Sequence, residues 1–269
     1  MKNSIAIFLI CILAGCGSKQ QAVQVRTENT QVKALLQGVW TETSDENSPV
    51  MQFTDDTVNY INNDIAQQTF KVFNDTLYTY GLQTNAYPII DVNESKLTLM
   101  MPGGETVYLQ KKVMSQVEAE NFESDYKESP QDITVKEVIK KDKVVTLKGK
   151  SYHGYVFINP TSIKVLRPGI SDLGLEIENY SFDNIIHICV YQGKNAIYSK
   201  DIKKEMFNDI VPPEFLQYSI LHDIDFQGVD QDEFLFLANV GIPDNGLSYQ
   251  VQLRVSQTGE MTFHTNNSN

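Results

Sequence analysis

The chain has 269 residues, 41% of them hydrophobic, 10% aromatic and 21% charged, and its 22 Lys and Arg against 34 Asp and Glu give a net charge of −12. That apolar content can bury a core, which excludes wholesale disorder, and the length fits two domains. The acidic balance excludes a general nucleic-acid binder, whose footprint is basic, and three Cys are too few for a disulfide framework.

Lys2 precedes an apolar run from Ile5 to Leu13, which ends in Ala14, Gly15 and Cys16. A basic start, a short apolar stretch and small residues at its end read as a signal peptide over residues 1–15. The run is about half of the ~20 apolar residues that a membrane-spanning helix needs, and no later stretch is long and apolar enough to span. Leu13-Ala14-Gly15-Cys16 resembles a bacterial lipobox. The resemblance implies cleavage before Cys16, a diacylglycerol on its sulfur, an acylated amino terminus, and so a lipid bilayer as the first partner. One acyl chain holds a protein only marginally, whereas two or more hold it stably. The plainer alternative is an ordinary secretory signal in which Cys16 is incidental. By similarity to sorting signals of Gram-negative lipoproteins, Gly17 implies the outer membrane. The absence of acids in Ser18–Val25 favours the periplasmic leaflet over the cell surface. Cys11 leaves with the signal. Cys189 lies in the apolar run Ile185–Val190 and is expected as a buried strand-core thiol.

Residues 16–34 are polar and read as a flexible tether. Residues 35–110 read as short strands separated by turn signals. Asp56, Asp75 and Glu94 recur every 19 residues, the length of one hairpin plus its return loop, so the segment is expected to be an antiparallel meander. Ahead of it stands Leu35-Leu36-Gln37-Gly38-Val39-Trp40. The Gly-x-Trp with the short strands after it resembles a lipocalin-like barrel. That resemblance gives Gly38 and Trp40 the role of plugging the closed end. Two features depart from it: the segment is about half as long, and no Arg follows to cover the Trp, Lys111 or Lys112 being the nearest substitute. Phe53, Tyr60, Phe70, Phe73 and Tyr78 compete for the interior, which favours a packed barrel over an open cup. An open cup would make the domain a carrier of small hydrophobic ligands.

Residues 111–131 form a polar connector. Residues 132–269 read as a second β-rich domain, with strands expected at Ile133–Ile139, Val144–Leu147, Tyr155–Ile158, Ser162–Val165, Leu173–Tyr180 and Ile185–Tyr191, and further strands at Phe234–Ala238, Tyr249–Val255 and Met261–Phe263. A helix is expected near residues 201–218, with Asp201 as its N-cap, Pro212-Pro213 opening a second turn, and Ile202, Met206 and Phe207 facing the sheet. The fold class is mainly β, α+β in the second domain: a small lipocalin-like meander or barrel, then a sandwich or curved sheet with a helical insertion.

Templates for catalysis are missing: there is no G-x-S-x-G, no H-E-x-x-H, no phosphate loop and no dinucleotide fingerprint. His187 is expected as a hydrogen-bonded core histidine. Asp223, Asp225, Asp230, Asp232 and Glu233 offer hard oxygen ligands of the kind calcium takes, although Gln227 breaks the EF-hand spacing. The plainer account puts Ile224 and Phe226 inward, Asp223 and Asp225 outward, and Gly228 to Glu233 in a solvated turn. His222 beside these acids is the remote case for a hydrolase. Lys136, Lys140, Lys141, Lys143, Lys148 and Lys150 read as gatekeepers on an edge hairpin, with anionic lipid heads as the alternative partner. Tyr78, Tyr80, Tyr87 and Tyr108, read as exposed, could stack on sugars, but only one Trp accompanies them and ordinary β-sheet enrichment of Tyr explains them as well. The order of lipobox, small barrel and β-rich domain, and most of all Gly228-Val229-Asp230 through Pro243-Asp244 and Tyr249 to Phe263, resembles an uncharacterised lipoprotein family of the Bacteroidetes type. The resemblance implies address and fold but no mechanism. The expected function is therefore a non-enzymatic, membrane-anchored binding or interaction module of the cell envelope. It needs no cofactor, and its partner is an envelope protein or a small ligand.

Overall fold

A computed structural model describes residues 26–60, 64–114 and 137–265. The expected signal segment, Cys16, most of the tether and most of the connector lie outside the described residues.

The first domain is a closed barrel of eight strands: β1 (Gly38–Glu42), β2 (Asp45–Thr54), β3 (Thr57–Tyr60) and β4 (Gln68–Phe73), then β5 (Thr76–Tyr80), β6 (Thr84–Val92), β7 (Lys96–Met100) and β8 (Thr106–Lys111). Neighbours in sequence pair antiparallel, and β8 closes on β1 with Trp40 opposite Lys111 and Thr41 opposite Gln110. The turns Asp55-Asp56 and Asn74-Asp75 are tight because Asp55 and Asn74 accept φ of +51° and +53°, a region that short polar side chains tolerate. The recurrence of Asp56, Asp75 and Glu94 spans two strands and two turns each time, so all three stand at one end of the barrel.

Helix α1 (Thr30–Leu36) lies across that end, where the last part of a tether was expected. It folds because Asn29 caps it, accepting from Val32 N at 3.1 Å, and because Leu36 is fully buried against the barrel. Lys33 ties it down through Glu28 at 2.8 Å and through Asp56. Trp40 lies beneath, fully buried, its indole N–H donating to Leu36 O at 2.7 Å. The Lys111 ammonium stands 4.9 Å over the indole ring and donates to Leu35 O at 2.7 Å, so a lysine covers the Trp. Burial draws Lys111 below its ordinary value, against the pull of Glu94.

The barrel interior is packed. Met51, Phe53, Phe70, Val72, Leu77, Leu97 and Leu99 fill it beside Trp40. Tyr87, expected on the surface, points inward and is fully buried, because β6 alternates with Asn85, Tyr87 and Ile89 on its inner side. Phe73, expected inside, and Tyr78, weighed for both sides, meet edge to face at 5.8 Å on the outer surface, since they alternate with Val72 and Leu77. A filled interior removes the cup that a hydrophobic-ligand carrier requires.

The second domain is a sandwich of two four-stranded antiparallel sheets. One has the order β12-β11-β10-β9, made of β9 (Ile139–Leu147), β10 (Lys150–Ile170), β11 (Glu176–Gln192) and β12 (Asn195–Ile202). The other runs in chain order through β13 (Ile220–Asp230), β14 (Glu233–Gly241), β15 (Ser248–Val255) and β16 (Met261–Thr265). Val156, Ile186, Ile188 and Val190 from the first sheet meet Ile224, Phe236, Val251 and Leu253 from the second in one core. A 3₁₀ turn (Lys204–Phe207) and α2 (Pro213–Leu216) cover its edge with Phe207 and Leu216. Asp201 is not their cap. It belongs to β12, where Tyr198 and Ile202 face the core and pairing with β11 outweighs the capping signal.

β10 and β11 are each longer than the pairs of strands expected in their place. A bulge between Pro160 and Lys164 carries β10 past the polar break, and Thr161 Oγ1 steadies it by donating to Asp183 O at 2.7 Å. Beyond the bulge the two strands pair only with each other, from Lys164 opposite Phe182 to Ile170 opposite Glu176. This two-stranded arm leaves the sandwich and docks on the barrel mouth, the end opposite α1. Leu175 and Ile177 at its tip join the barrel core. Ala66 N donates to Glu178 O at 2.6 Å and Tyr180 N to Asp64 O at 2.8 Å, a short ladder on the β3–β4 loop. Glu176 N donates to Tyr87 Oη at 2.9 Å. The barrel is thus closed at one end by α1 and Trp40 and at the other by the arm.

Candidate functional site

Register and pleat build a solvent-facing surface on the first sheet of the sandwich. Because Val156, Ile186, Ile188 and Val190 point into the core, the alternate residues point out. Pairing then aligns them in rows across the strands. Val144, His153 and Tyr191 make one row; Asp142, Tyr155, Cys189 and Ser199 a second; Lys140, Phe157, His187 and Asp201 a third. The result is an aromatic platform. His153 and Tyr155 lie with ring centres 4.0 Å apart, Tyr155 and Phe157 stack at 6.3 Å, and Tyr191 meets Tyr155 edge-on at 5.7 Å. Phe157 also meets His187 at 6.1 Å, with the Lys140 ammonium 5.9 Å from its centre. These rings are half-buried by one another and keep their outer surfaces in water.

Two carboxylates fix the histidines. His153 Nε2 lies 2.7 Å from Asp142 and its Nδ1 lies 2.8 Å from Tyr155 Oη. His187 Nδ1 lies 2.6 Å from Asp201, and its Nε2 lies 3.0 Å from Ser199 Oγ. His187 is therefore not a core residue: it stands on the outer face because the core takes Ile186 and Ile188. Ser199, His187 and Asp201 have the bonding order of nucleophile, base and orienting acid. The Asp201 side chain, however, is 61% exposed on an open sheet, without the enclosure that would exclude water from a reaction. The arrangement orients rings. Cys189 also lies on this outer side, only 6% exposed under its neighbours, and burial pushes its thiol up.

The residues considered for calcium do not converge. Asp223 and Asp225 both pair with Lys141, the latter at 3.1 Å. Asp232 stands 4.0 Å from Lys148 in the turn after β13, beside Asp230, and Glu233 meets Arg254 at 3.5 Å. Among the described residues no three His, Cys, Asp or Glu are grouped to hold a metal. Burial lowers the Lys141 ammonium, and its bonds to Asp223 and Asp225 more than offset this, leaving it raised. Lys143 donates to Gln227 O at 3.0 Å, so two lysines of the basic stretch, Lys141 and Lys143, partner the acids and a backbone carbonyl of β13. His222 borders a shallow cleft with Asp223 and Asp244, while Asp230, Asp232 and Glu233 lie at the other end of β13. Ile224 and Phe226 point into the core, as the plainer strand account requires.

The platform was missed in the sequence because its residues alternate with core residues inside apolar runs. Its signal was the period-two spacing of His153, Tyr155 and Phe157 and of His187, Cys189 and Tyr191.

Fold and face together define a two-domain β protein in which an arm of a sandwich seals a small barrel and the sandwich presents an aromatic platform. Residues 118–263 match the family described as Domain of unknown function (DUF4738), and this match covers more than half of the chain, which therefore belongs to that family. The sequence matches no curated protein.

Proposed function

We propose that this chain is a lipid-anchored, non-enzymatic binding module of the cell envelope, a lipoprotein of the Bacteroidetes type. In this reading Cys16 carries the lipid, the protein sits on the periplasmic side of the outer membrane, and the sandwich face binds an envelope protein. The observation that carries the binding role is the platform of His153, Tyr155, Phe157, His187 and Tyr191, with Asp142 and Asp201 fixing its rings. Aromatic side chains held rigid by neighbours are the usual anchors of protein interfaces, since they bring large area at little entropic cost. The anchor rests on Leu13-Ala14-Gly15-Cys16 and the apolar run before it.

A photo-crosslinking amino acid at position 157 in intact cells tests the face, with position 108, on the outer surface of the barrel, as the control. The expected result is a discrete adduct from position 157 and none from position 108. No adduct from either, or the same adducts from both, contradicts the binding role. Labelled palmitate on the wild-type chain but not on Cys16→Ser tests the anchor.

A further inference from the structure

Where the arm meets the barrel mouth, the packing changes character. The α1 end of the barrel is apolar, whereas the mouth end carries Tyr60, Gln68, Thr79 and Asn85, all nine-tenths or more buried. The arm adds Glu178, only 6% exposed. Between mouth and arm lies a cavity of about 350 Å³, at the lower end of the range for small-molecule sites. Gln68, Gln83, Asn85 and Glu178 supply its polar wall, with Leu82 and Ile177 on the apolar side.

The bonding of this wall is incomplete. Glu178 accepts a hydrogen bond from Leu82 N, yet among the described residues it has no cation within ion-pair distance. Gln68 Oε1 accepts from Tyr60 Oη at 3.3 Å, while its amide nitrogen and the Asn85 amide have no partner among the described residues. A buried carboxylate without a counter-charge is costly, and Gln68 and Asn85 present their amides to the same cavity. Space for the carboxylate depends on residue 81 being Gly, since a Cβ there would overlap a Glu178 oxygen.

We propose that this cavity is a binding site for a small molecule bearing a protonated amine, its ammonium on Glu178, its polar groups on Gln68 and Asn85, and its carbon chain against Leu82 and Ile177. The site is separate from the aromatic platform and takes a polar ligand where a hydrophobic one finds no room. Access is from the side of the arm, past the exposed Gln83. Water alone is the competing occupant.

The test is calorimetric titration of the full chain with putrescine and, as its neutral isostere, 1,4-butanediol. Putrescine is expected to bind saturably and the diol not to bind. Glu178→Gln is expected to weaken putrescine by about tenfold or more, the scale of one charge-assisted contact. Glu233→Gln, a remote carboxylate, controls for general attraction to an acidic protein and should leave binding unchanged. If Glu178→Gln does not fold, the surface variant Gln83→Lys decides, because its tethered ammonium should occupy the site and weaken putrescine to a similar degree. Absence of saturable binding, equal binding of the diol, or equal loss in Glu233→Gln would overturn the proposal. So would unchanged affinity in a folded Glu178→Gln or in Gln83→Lys.

Discussion

Removing the tip of the arm from the barrel core should uncouple the two domains. Leu175 and Ile177 are 2% and 5% exposed in a core otherwise made by the barrel and α1. Truncating a buried Leu or Ile to Ala costs about 2–5 kcal/mol, the lower part of that range applying where a rim can relax. The pair shares one site, so the double variant should lose roughly 4–6 kcal/mol rather than the full sum. With a urea slope of about 2–3 kcal/mol/M, the barrel midpoint should fall by about 2 M. Trp40 is the only Trp and lies inside the barrel, so its fluorescence reports that domain, while far-ultraviolet circular dichroism reports both. In the wild type the two signals should change together. In Leu175→Ala/Ile177→Ala the fluorescence transition should move to lower urea and leave a later dichroism step from the sandwich. Ile170, 73% exposed on the same arm, is the control, and its change to Ala should move neither signal. A fluorescence midpoint that stays in place in the double variant would refute the idea that the arm seals and steadies the barrel.

Cys189 should resist alkylation in the folded protein, and Tyr155→Ala should raise its labelling rate by about tenfold or more, because Tyr155 stands directly opposite it on the same face of the sheet; peptide mass spectrometry separates it from Cys11 and Cys16. Burial pushes the Tyr87 and Tyr198 phenols up to about 12, and Tyr60 higher, so the folded state holds protons that the unfolded state releases near pH 10. The stability they contribute is therefore whole below that pH and should fall as pH rises through 10 to 12, which urea titrations over that window measure. Lys111→Met keeps the length of the side chain but removes the bond to Leu35 O and the charge over Trp40, and should cost about 1–2 kcal/mol with a shift in Trp40 emission.

Much of the barrel was legible in the sequence. The recurrence of Asp56, Asp75 and Glu94 reports turn chemistry, which is local, and local signals survive folding. Trp40 lies buried at the α1 end of the barrel, bonded to Leu36 O, and Lys111, one of the two lysines named as substitutes, stands over its ring. What was illegible came from tertiary choice. Phe73 and Tyr87 are both plausible inside or outside, and the register of β4 and β6 alone decides. Asp201 carries a true capping signal that strand pairing overrides. The arm was unreadable because Pro160 and Gly169 look like strand ends, whereas a bulge and a partner strand carry the chain through. The platform required knowing that β9 to β12 share one sheet, since only the cross-strand rows bring His153 to Tyr191 and His187 to Asp201.

The most direct measurement concerns the platform itself. Once the protein crosslinked through position 157 is purified, its dissociation constant should be measured calorimetrically for the wild type and for Tyr155→Ala/Phe157→Ala. Two aromatic anchors of about 2 kcal/mol or more each predict a loss approaching a thousandfold or greater, with the fold unchanged by circular dichroism. An affinity equal to that of the wild type would show that the face is not where this protein binds.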